Sequence, residues 1–298
     1  MSYNQEAYIE AALISLIQQD LDDLEIVISD DASSDGTVQI INKILINYKT
    51  EKSIKFNVNQ TNIGIVANLN RALGLTSGEM IFIAGGDDIS KNTRCSDCYK
   101  FWLASGANHD LVATDGYDMS QDGINLGIKT TDNLEKWTLE KWHKDCRPYF
   151  FGASHMVSKR LINLNPLNIL LPFEDQVYVH RALMMGSAIR LPIPLVYHRR
   201  GGVSQPDRPM LIGSKKQRLL LSANANLIEL NQFILDASKL GMGNAVKELV
   251  APKYALETYT KNILESRRIF EKINFFIKSR NVYFSKRIRF LKYGLFYN

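Results

Sequence analysis

Glu25-Ile26-Val27-Ile28-Ser29-Asp30-Asp31-Ala32-Ser33-Ser34-Asp35-Gly36-Thr37 reads as a short strand, an acidic turn and the start of a helix. Ile26-Val27-Ile28 is β-branched without polar alternation, the pattern of a strand covered on both faces. Val38, Ile41, Leu45 and Tyr48 then share one helical face, with Ser33, Ser34 or Asp35 available as N-cap. The same alternation extends both ways. Upstream, Tyr8, Ala12, Leu13, Leu16 and Ile17 predict a helix over 5–18, with Asn4 near its cap. Downstream, strands are expected over 54–58, 80–84 and 110–114, with a helix over 65–75. Strand and helix alternating at this spacing predict an α/β fold around a mostly parallel sheet.

In such sheets the ligand crevice lies beyond the carboxyl ends of the strands. Here those ends read Asp30-Asp31, the polar stretch 59–64, Gly85-Gly86-Asp87-Asp88 and Thr114-Asp115-Gly116. Two adjacent carboxylates are costly to hold together unless a cation joins them. Magnesium or manganese, held by Asp88 or Asp87 and by substrate phosphates, would do so, and the glycines would let backbone approach a ligand. A turn opening after a strand is the plainer alternative. Asp30-Asp31 could accept from a base or ribose, or cap the next helix. Glu174-Asp175 opens a further helical pattern, either as a cap on the helix dipole or as a general base for an acceptor hydroxyl.

The composition is ordinary for a globular chain of 298 residues, with 45% hydrophobic and 22% charged. No apolar run approaches the roughly 18 residues of a membrane span, and no export signal is visible. Three cysteines are too few for a disulfide framework, so a cytoplasmic location is expected. Cys95-x-x-Cys98, with His143 and Cys146, is a weak zinc signal, because such sites need four ligands in place.

The net charge of +5 is unevenly spread. Residues 252–298 hold eleven Lys/Arg against three Glu, while the rest sums to −3. This tail alternates cations with Phe275, Phe276, Ile277, Tyr283, Phe284, Ile288, Phe290 and Leu291. Such a helix can lie on anionic lipid, at the inner face of a membrane, or pack on its own domain. No nucleic-acid recognition motif accompanies it, so no such partner is expected.

Taken in order, Ser2-Tyr3-Asn4 with Tyr8-Ile9, the stretch 25–37, Asn62-Ile63-Gly64 with Asn70, and the stretch 78–88 resemble family 2 glycosyltransferases of GT-A fold. The resemblance covers roughly residues 2 to 205. It implies a glycosyltransferase domain over 1–205, with a nucleotide-sugar part over about 1–125 and an acceptor part over about 126–205, and a helical basic extension over 206–298. It implies that Asp31 bonds the nucleobase with Asp30 supporting it, and that Tyr3, Asn4, Gly64 and Asn70 line the nucleotide pocket. Asp87 would face the ribose, Asp88 would ligate the metal, and Asp175 would be the base with Glu174 beside it. The implied reaction moves a sugar from a nucleoside diphosphate to a saccharide or lipid-linked acceptor with inversion, in bacterial surface polysaccharide synthesis. A catalytically silent nucleotide-sugar-binding module and an unrelated magnesium-dependent phosphotransferase are the alternatives.

Departures from the pattern carry expectations too. Processive members carry Gln-x-x-Arg-Trp after the base; its absence here implies one sugar per encounter. In Tyr197-His198-Arg199-Arg200-Gly201-Gly202-Val203-Ser204, His and Arg are transposed relative to relatives, and His198 is a metal ligand, a diphosphate contact or a surface histidine. The family has an apolar strand before Ser-Tyr-Asn. A crossover helix over 5–18 needs a strand on each side, so a strand ending at Ser2 should lie beside 25–29, in a position otherwise nearly empty. The chain as given is therefore expected to be poorly soluble or inactive, and one extended upstream by about six apolar residues to fold and work.

Overall fold

A computed structural model of the chain describes residues 1–144, 147–201 and 214–296. The chain divides into two compact units, Met1–Ile169 with Phe173–Val203, and Leu170–Pro172 with Ser204–Asn298. The first unit holds strands β1 (Glu25–Asp30), β2 (Ser53–Val58), β3 (Met80–Phe82), β4 (Ile89–Ser90), β5 (Leu111–Met119), β6 (Asn125–Lys129), β7 (His155–Ser158) and β8 (Ala188–Arg199). Its helices are α1 (Ile9–Ile17), α2 (Thr37–Asn47), α3 (Ile65–Gly74), α4 (Arg94–Ala104), α5 (Leu139–Lys144), α6 (Lys159–Ile162) and α7 (Asp175–Met184).

The apolar periodicity finds its partners. Ile26 and Ile28 of β1 pack with Ile9, Leu13 and Ile17 of α1 and with Ile41 and Ile44 of α2. A second cluster joins Cys98, Val112, Met156, Leu191 and Leu195 under the larger sheet. The strands form a two-stranded sheet, β1–β2, and a six-stranded mixed sheet in the order β3-β7-β5-β8-β4 with β6 on β5, rather than one mostly parallel sheet. β1–β2 and β5–β8 run parallel, while β3–β7, β5–β7, β4–β8 and β5–β6 run antiparallel. A buried apolar run marks a strand without giving its direction. β6 follows β5 through the tight turn closed by the Ser120 N–H···O=C Ile124 side of the hairpin (2.8 Å), which forces an antiparallel return.

Two local expectations shift. α1 begins at Ile9, because Gln5 to Tyr8 form a turn whose Gln5 N–H donates to Thr37 Oγ1 at 2.7 Å. Asn4, at φ 49°, is not its cap and instead accepts from the Ser34 N–H at 2.9 Å. For α2, Asp35 is the candidate that accepts from the first turn, from the Thr37 N–H at 3.0 Å.

Ser2 lies where the expected strand would end. It forms a parallel bridge with Asp30, its N–H donating to Ser29 O at 3.0 Å and its carbonyl accepting from Asp31 N at 2.9 Å. The Met1 amine donates to Ala84 O at 3.0 Å. Beyond them, β1 and β3 border a cavity of about 170 Å³ lined by Ile26, Leu69, Leu73, Ile81 and Ile83 among others. Among the described residues no strand pairs with β1 or β3 across it.

The second unit is helical: α8 (Lys215–Lys239), α9 (Gly243–Glu265), α10 (Ile269–Lys278) and α11 (Phe284–Phe296). α8 opens with a reciprocal Ser214–Gln217 capping box, and the chain leaves it through Gly241 at φ 73°, the left-handed exit the sequence suggests. Phe275, Phe276, Phe290 and Leu291 pack around Tyr259, Ile263 and Val282, so part of the tail's apolar surface serves its own fold. No helix among the described residues is long and apolar enough to cross a membrane.

Candidate active site

The first acidic pair is absorbed into the loops that follow β1. Asp30, fully buried, accepts from Ser2 Oγ (2.8 Å), Ser33 N (2.8 Å) and Ser33 Oγ (2.6 Å). Asp31 accepts from Asn59 Nδ2 (2.9 Å), Ile63 N (2.9 Å) and Gly64 N (2.8 Å). Ala32, which follows them, is held at φ 60°, a conformation costly for a residue with a Cβ and sustained here by the surrounding bonds. Asp31 therefore fixes the 62–64 loop at the entrance of α3. Asn70, placed by motif in the nucleotide pocket, donates to Leu167 O at 3.0 Å. The buried amide beneath the loop is Asn68, which accepts from Ser29 Oγ (2.6 Å) and donates to Ser29 O (3.1 Å). Its signal was legible: an Asn on the apolar face of a helix must find buried partners. Tyr3 is 41% exposed beside these loops.

The second pair closes the β3 end. A Cβ on Gly85 would lie 2.8 Å from Asp87 Oδ1, and one on Gly86 would lie 2.1 Å from Gln5 Oε1. The glycines thus admit neighbouring protein groups, where the sequence suggested a ligand. Asp88 Oδ1 accepts from the Arg199 N–H at 2.9 Å, and Arg199 Nε donates to Asp87 O at 3.0 Å. The Arg199 guanidinium lies 4.4 Å from the Tyr8 ring centre. Burial, and then the neighbouring Asp88, push Asp87 up to about 6; burial also raises Asp88. Lys129 Nζ lies 3.0 Å from His198 Nδ1 and 4.8 Å from the centre of the Phe151 ring. Burial, and then Lys129, lower the His198 pKa. With Lys129 donating to Nδ1, a neutral His198 ring carries its proton on Nε2.

Among the described residues no three His, Cys, Asp or Glu side chains form a metal cage. The Asp87–Asp88 pair nevertheless fits a hard cation that keeps most positions for substrate. Both carboxylates are raised by burial, so a positive charge between them would relieve each.

The third pair opens α7. Burial, and then Asp175, push Glu174 up to about 7. Asp175 Oδ1 accepts from the Gln176 N–H at 2.7 Å, and the side chain lies over Gly152, where an added Cβ would be 3.3 Å from Asp175 Cβ. One member of each pair, Asp87, Asp30 and Glu174, acts on the buried Met1 amine and favours its charged form, while burial, the larger effect, lowers its pKa.

Glu174 gives a pH dependence whose sign is fixed. Its folded pKa, about 7, exceeds the ordinary glutamate value of 4.5, so the folded state binds the extra proton between these values. Its contribution is complete below 4.5 and is lost as pH rises through about 7. In chelator, the melting temperature is expected to fall between pH 5 and pH 8, and Glu174→Gln should flatten that slope. A Glu174→Gln profile parallel to the parent's would contradict it.

Other sequence candidates are structural. Thr114-Asp115-Gly116 lies inside β5, not at its end, and Asp115 accepts from Arg190 Nε (3.0 Å), Arg190 Nη2 (2.6 Å) and Thr131 N (2.9 Å). Cys95 and Cys98 are core thiols that burial pushes up to about 11 and about 12. His143 Nε2 lies 3.0 Å from His180 Nε2. Cys146 and Gly202 to Ser204 lie outside the described residues.

With this geometry in place, the profile described as Glycosyl transferase family 2 matches residues 1–161. An uncharacterized glycosyltransferase of Nostoc sp. is 24% identical over 252 residues, 82% of this chain and 76% of the relative. An uncharacterized glycosyltransferase of Haemophilus influenzae is 37% identical over 90 residues, 30% of this chain but only 27% of the relative's length. Among solved structures, residues 1–349 of S. aureus TarS in complex with UDP-GlcNAc superpose with a TM-score of 0.60 at 18% identity, over 98% of this chain and 88% of that one. At that identity the likeness establishes the fold, the GT-A arrangement the motifs implied.

Proposed function

Because the chain belongs to glycosyl transferase family 2, we propose that it is an inverting, metal-dependent glycosyltransferase moving one sugar from a nucleoside diphosphate to a saccharide or lipid-linked acceptor. The observation that carries this reading is that Asp30, Asp87 and Glu174, one from each acidic pair, all act on the same buried Met1 amine, from the ends of β1 and β3 and the start of α7. Asp31 holds the 62–64 loop against which the base would lie, with Asp30, Tyr3, Asn4, Gly64 and Asn70 around it. Asp87 faces the ribose in this reading. A magnesium or manganese ion held by Asp88 would offset the charge that builds on the leaving diphosphate. His198, with its proton on Nε2, supports the diphosphate-contact role over the metal-ligand role, and Lys129 adds a cation beside it.

Asp175 takes the proton of the acceptor hydroxyl as that oxygen attacks the face opposite the leaving group. Glu174, with its raised pKa, holds a proton near neutrality and leaves the negative charge to Asp175. One displacement with one base inverts the anomeric centre. Residues 1–125 would serve the donor, 126–205 the acceptor, and 206–298 a separate role. The pathway we assign is bacterial surface polysaccharide synthesis on the cytoplasmic side of the membrane. Proton NMR of the product made from nucleoside diphosphate sugars is the test. Inverted configuration at the transferred anomeric carbon is expected; retained configuration would contradict the single displacement.

A further inference from the structure

α10 has two apolar faces, and only one is used by the fold. Phe275 and Phe276 turn into the cluster with Tyr259, Ile263 and Val282. Ile269, Ile273 and Ile277 recur at intervals of four on another face, with Phe270 flanking them. They are 61%, 47%, 55% and 60% exposed. Ordinary surfaces carry single apolar side chains; a contiguous helical stripe of four is a surface with a partner.

The charge around the stripe says which partner. Residues 267–296 hold nine Lys/Arg against one Glu, a balance of +8. Arg267 and Arg268 precede the stripe, and Lys278 and Arg280 follow it; all four are exposed. The next helix adds exposed Lys286, Arg289 and Lys292, with Tyr283 and Phe284 between the two helices 81% and 59% exposed. The link is anchored by Arg287, whose Nη1 donates to Phe276 O at 2.6 Å while its guanidinium lies 5.4 Å from the Phe284 ring centre. A second copy of this face would bring two strongly positive surfaces together, which is unfavourable at the short range of an apolar contact. An anionic lipid surface satisfies both features. Its acyl boundary takes the isoleucines, and its headgroups take the cations, whose aliphatic stems let the charge rise to the interface.

We propose that Ile269, Phe270, Ile273 and Ile277 of α10 form a membrane-docking stripe that seats in an anionic lipid surface, ringed by Arg267, Arg268, Lys278 and Arg280. This assigns the insertion to α10, not to the more C-terminal stretch from Tyr283 that its sequence makes conspicuous. The inference extends the glycosyl-transfer reading without resting on it, since lipid binding is read with no donor or acceptor present.

The test is sedimentation of the full chain with vesicles of equal parts phosphatidylcholine and phosphatidylglycerol. The parent chain is expected to sediment, to be released by salt, and to bind phosphatidylcholine alone far less. The Ile273→Asp, Ile277→Asp double variant should bind at least about tenfold more weakly, because two charges would have to enter the acyl boundary. Its circular dichroism melt should match the parent's. Phe270→Ser with Ile273→Ser is the milder second variant, and Arg267→Glu with Arg268→Glu should weaken binding through charge alone. Undiminished vesicle binding by either folded stripe variant would overturn the proposal. So would a parent chain that never sediments with these vesicles, or a dimer in solution abolished by the stripe substitutions.

Discussion

Asp88→Asn is expected to lower transfer by at least about 10²–10³-fold, the range for removing one group that stabilises charge on a leaving oxygen. The amide is isosteric, and its oxygen can still accept from the Arg199 N–H that now meets Oδ1. The fold should therefore survive. Without metal, the melting temperature should rise slightly, because the substitution removes a buried carboxylate whose charge, after burial, raises the proton affinity of Asp87. Loss of turnover together with a stable or stabilised fold separates this role from a structural one. Steady-state rates across a manganese titration, paired with calorimetric melting, read both effects. Unchanged turnover in the variant would remove Asp88 from the metal site.

Asp175→Asn is expected to cost about 10²–10⁴-fold in turnover, the usual contribution of a general base. Donor affinity should stay near the parent's, because the group acts only as the acceptor proton leaves. The neighbouring Glu174 should then titrate lower, since the Asp175 charge is the second cause of its elevation after burial. A defect confined to donor affinity would make Asp175 a binding or capping group, consistent with its place at the start of α7 and its bond to the Gln176 N–H.

Much of the site was legible because its carboxylates follow local patterns. Asp30-Asp31 and Asp87-Asp88 each follow an apolar run, so the strand predicts where the acid sits. Glu174-Asp175 precedes a helical pattern, so its place at a helix start was readable as well. What escaped reading arrives by non-local pairing. Arg199 joins His198, which the sequence offered, at the acidic pair because β8 runs antiparallel to β4, with Ile89, next to Asp88, opposite Tyr197. Lys129 comes in through β6, opposite Gly116. No local spacing signals Arg199, because the register that places it is set by β4 and β8, which lie far apart in the chain. Strand direction was lost for the same reason. β7 is only His155-Met156-Val157-Ser158 and follows an irregular stretch, yet it inserts between β3 and β5 and makes the sheet mixed.

The tail shows a different limit. Alternating Phe and Arg predicted an amphipathic surface, and the structure divides those side chains between two uses. Phe275, Phe276, Phe290 and Leu291 close the cluster around Tyr259, whereas Ile269, Ile273 and Ile277 stay outside. Periodicity gives the angle of a face and not which of two apolar faces is covered.

In the proposed mechanism the acidic pairs hold a donor diphosphate through a divalent cation. Isothermal titration of nucleoside diphosphates, with manganese and then with chelator, reads that bond without any turnover. Binding should require manganese in the parent chain, persist in Asp175→Asn and be lost in Asp88→Asn. Equal affinity in manganese and in chelator, for parent and Asp88→Asn alike, would contradict it.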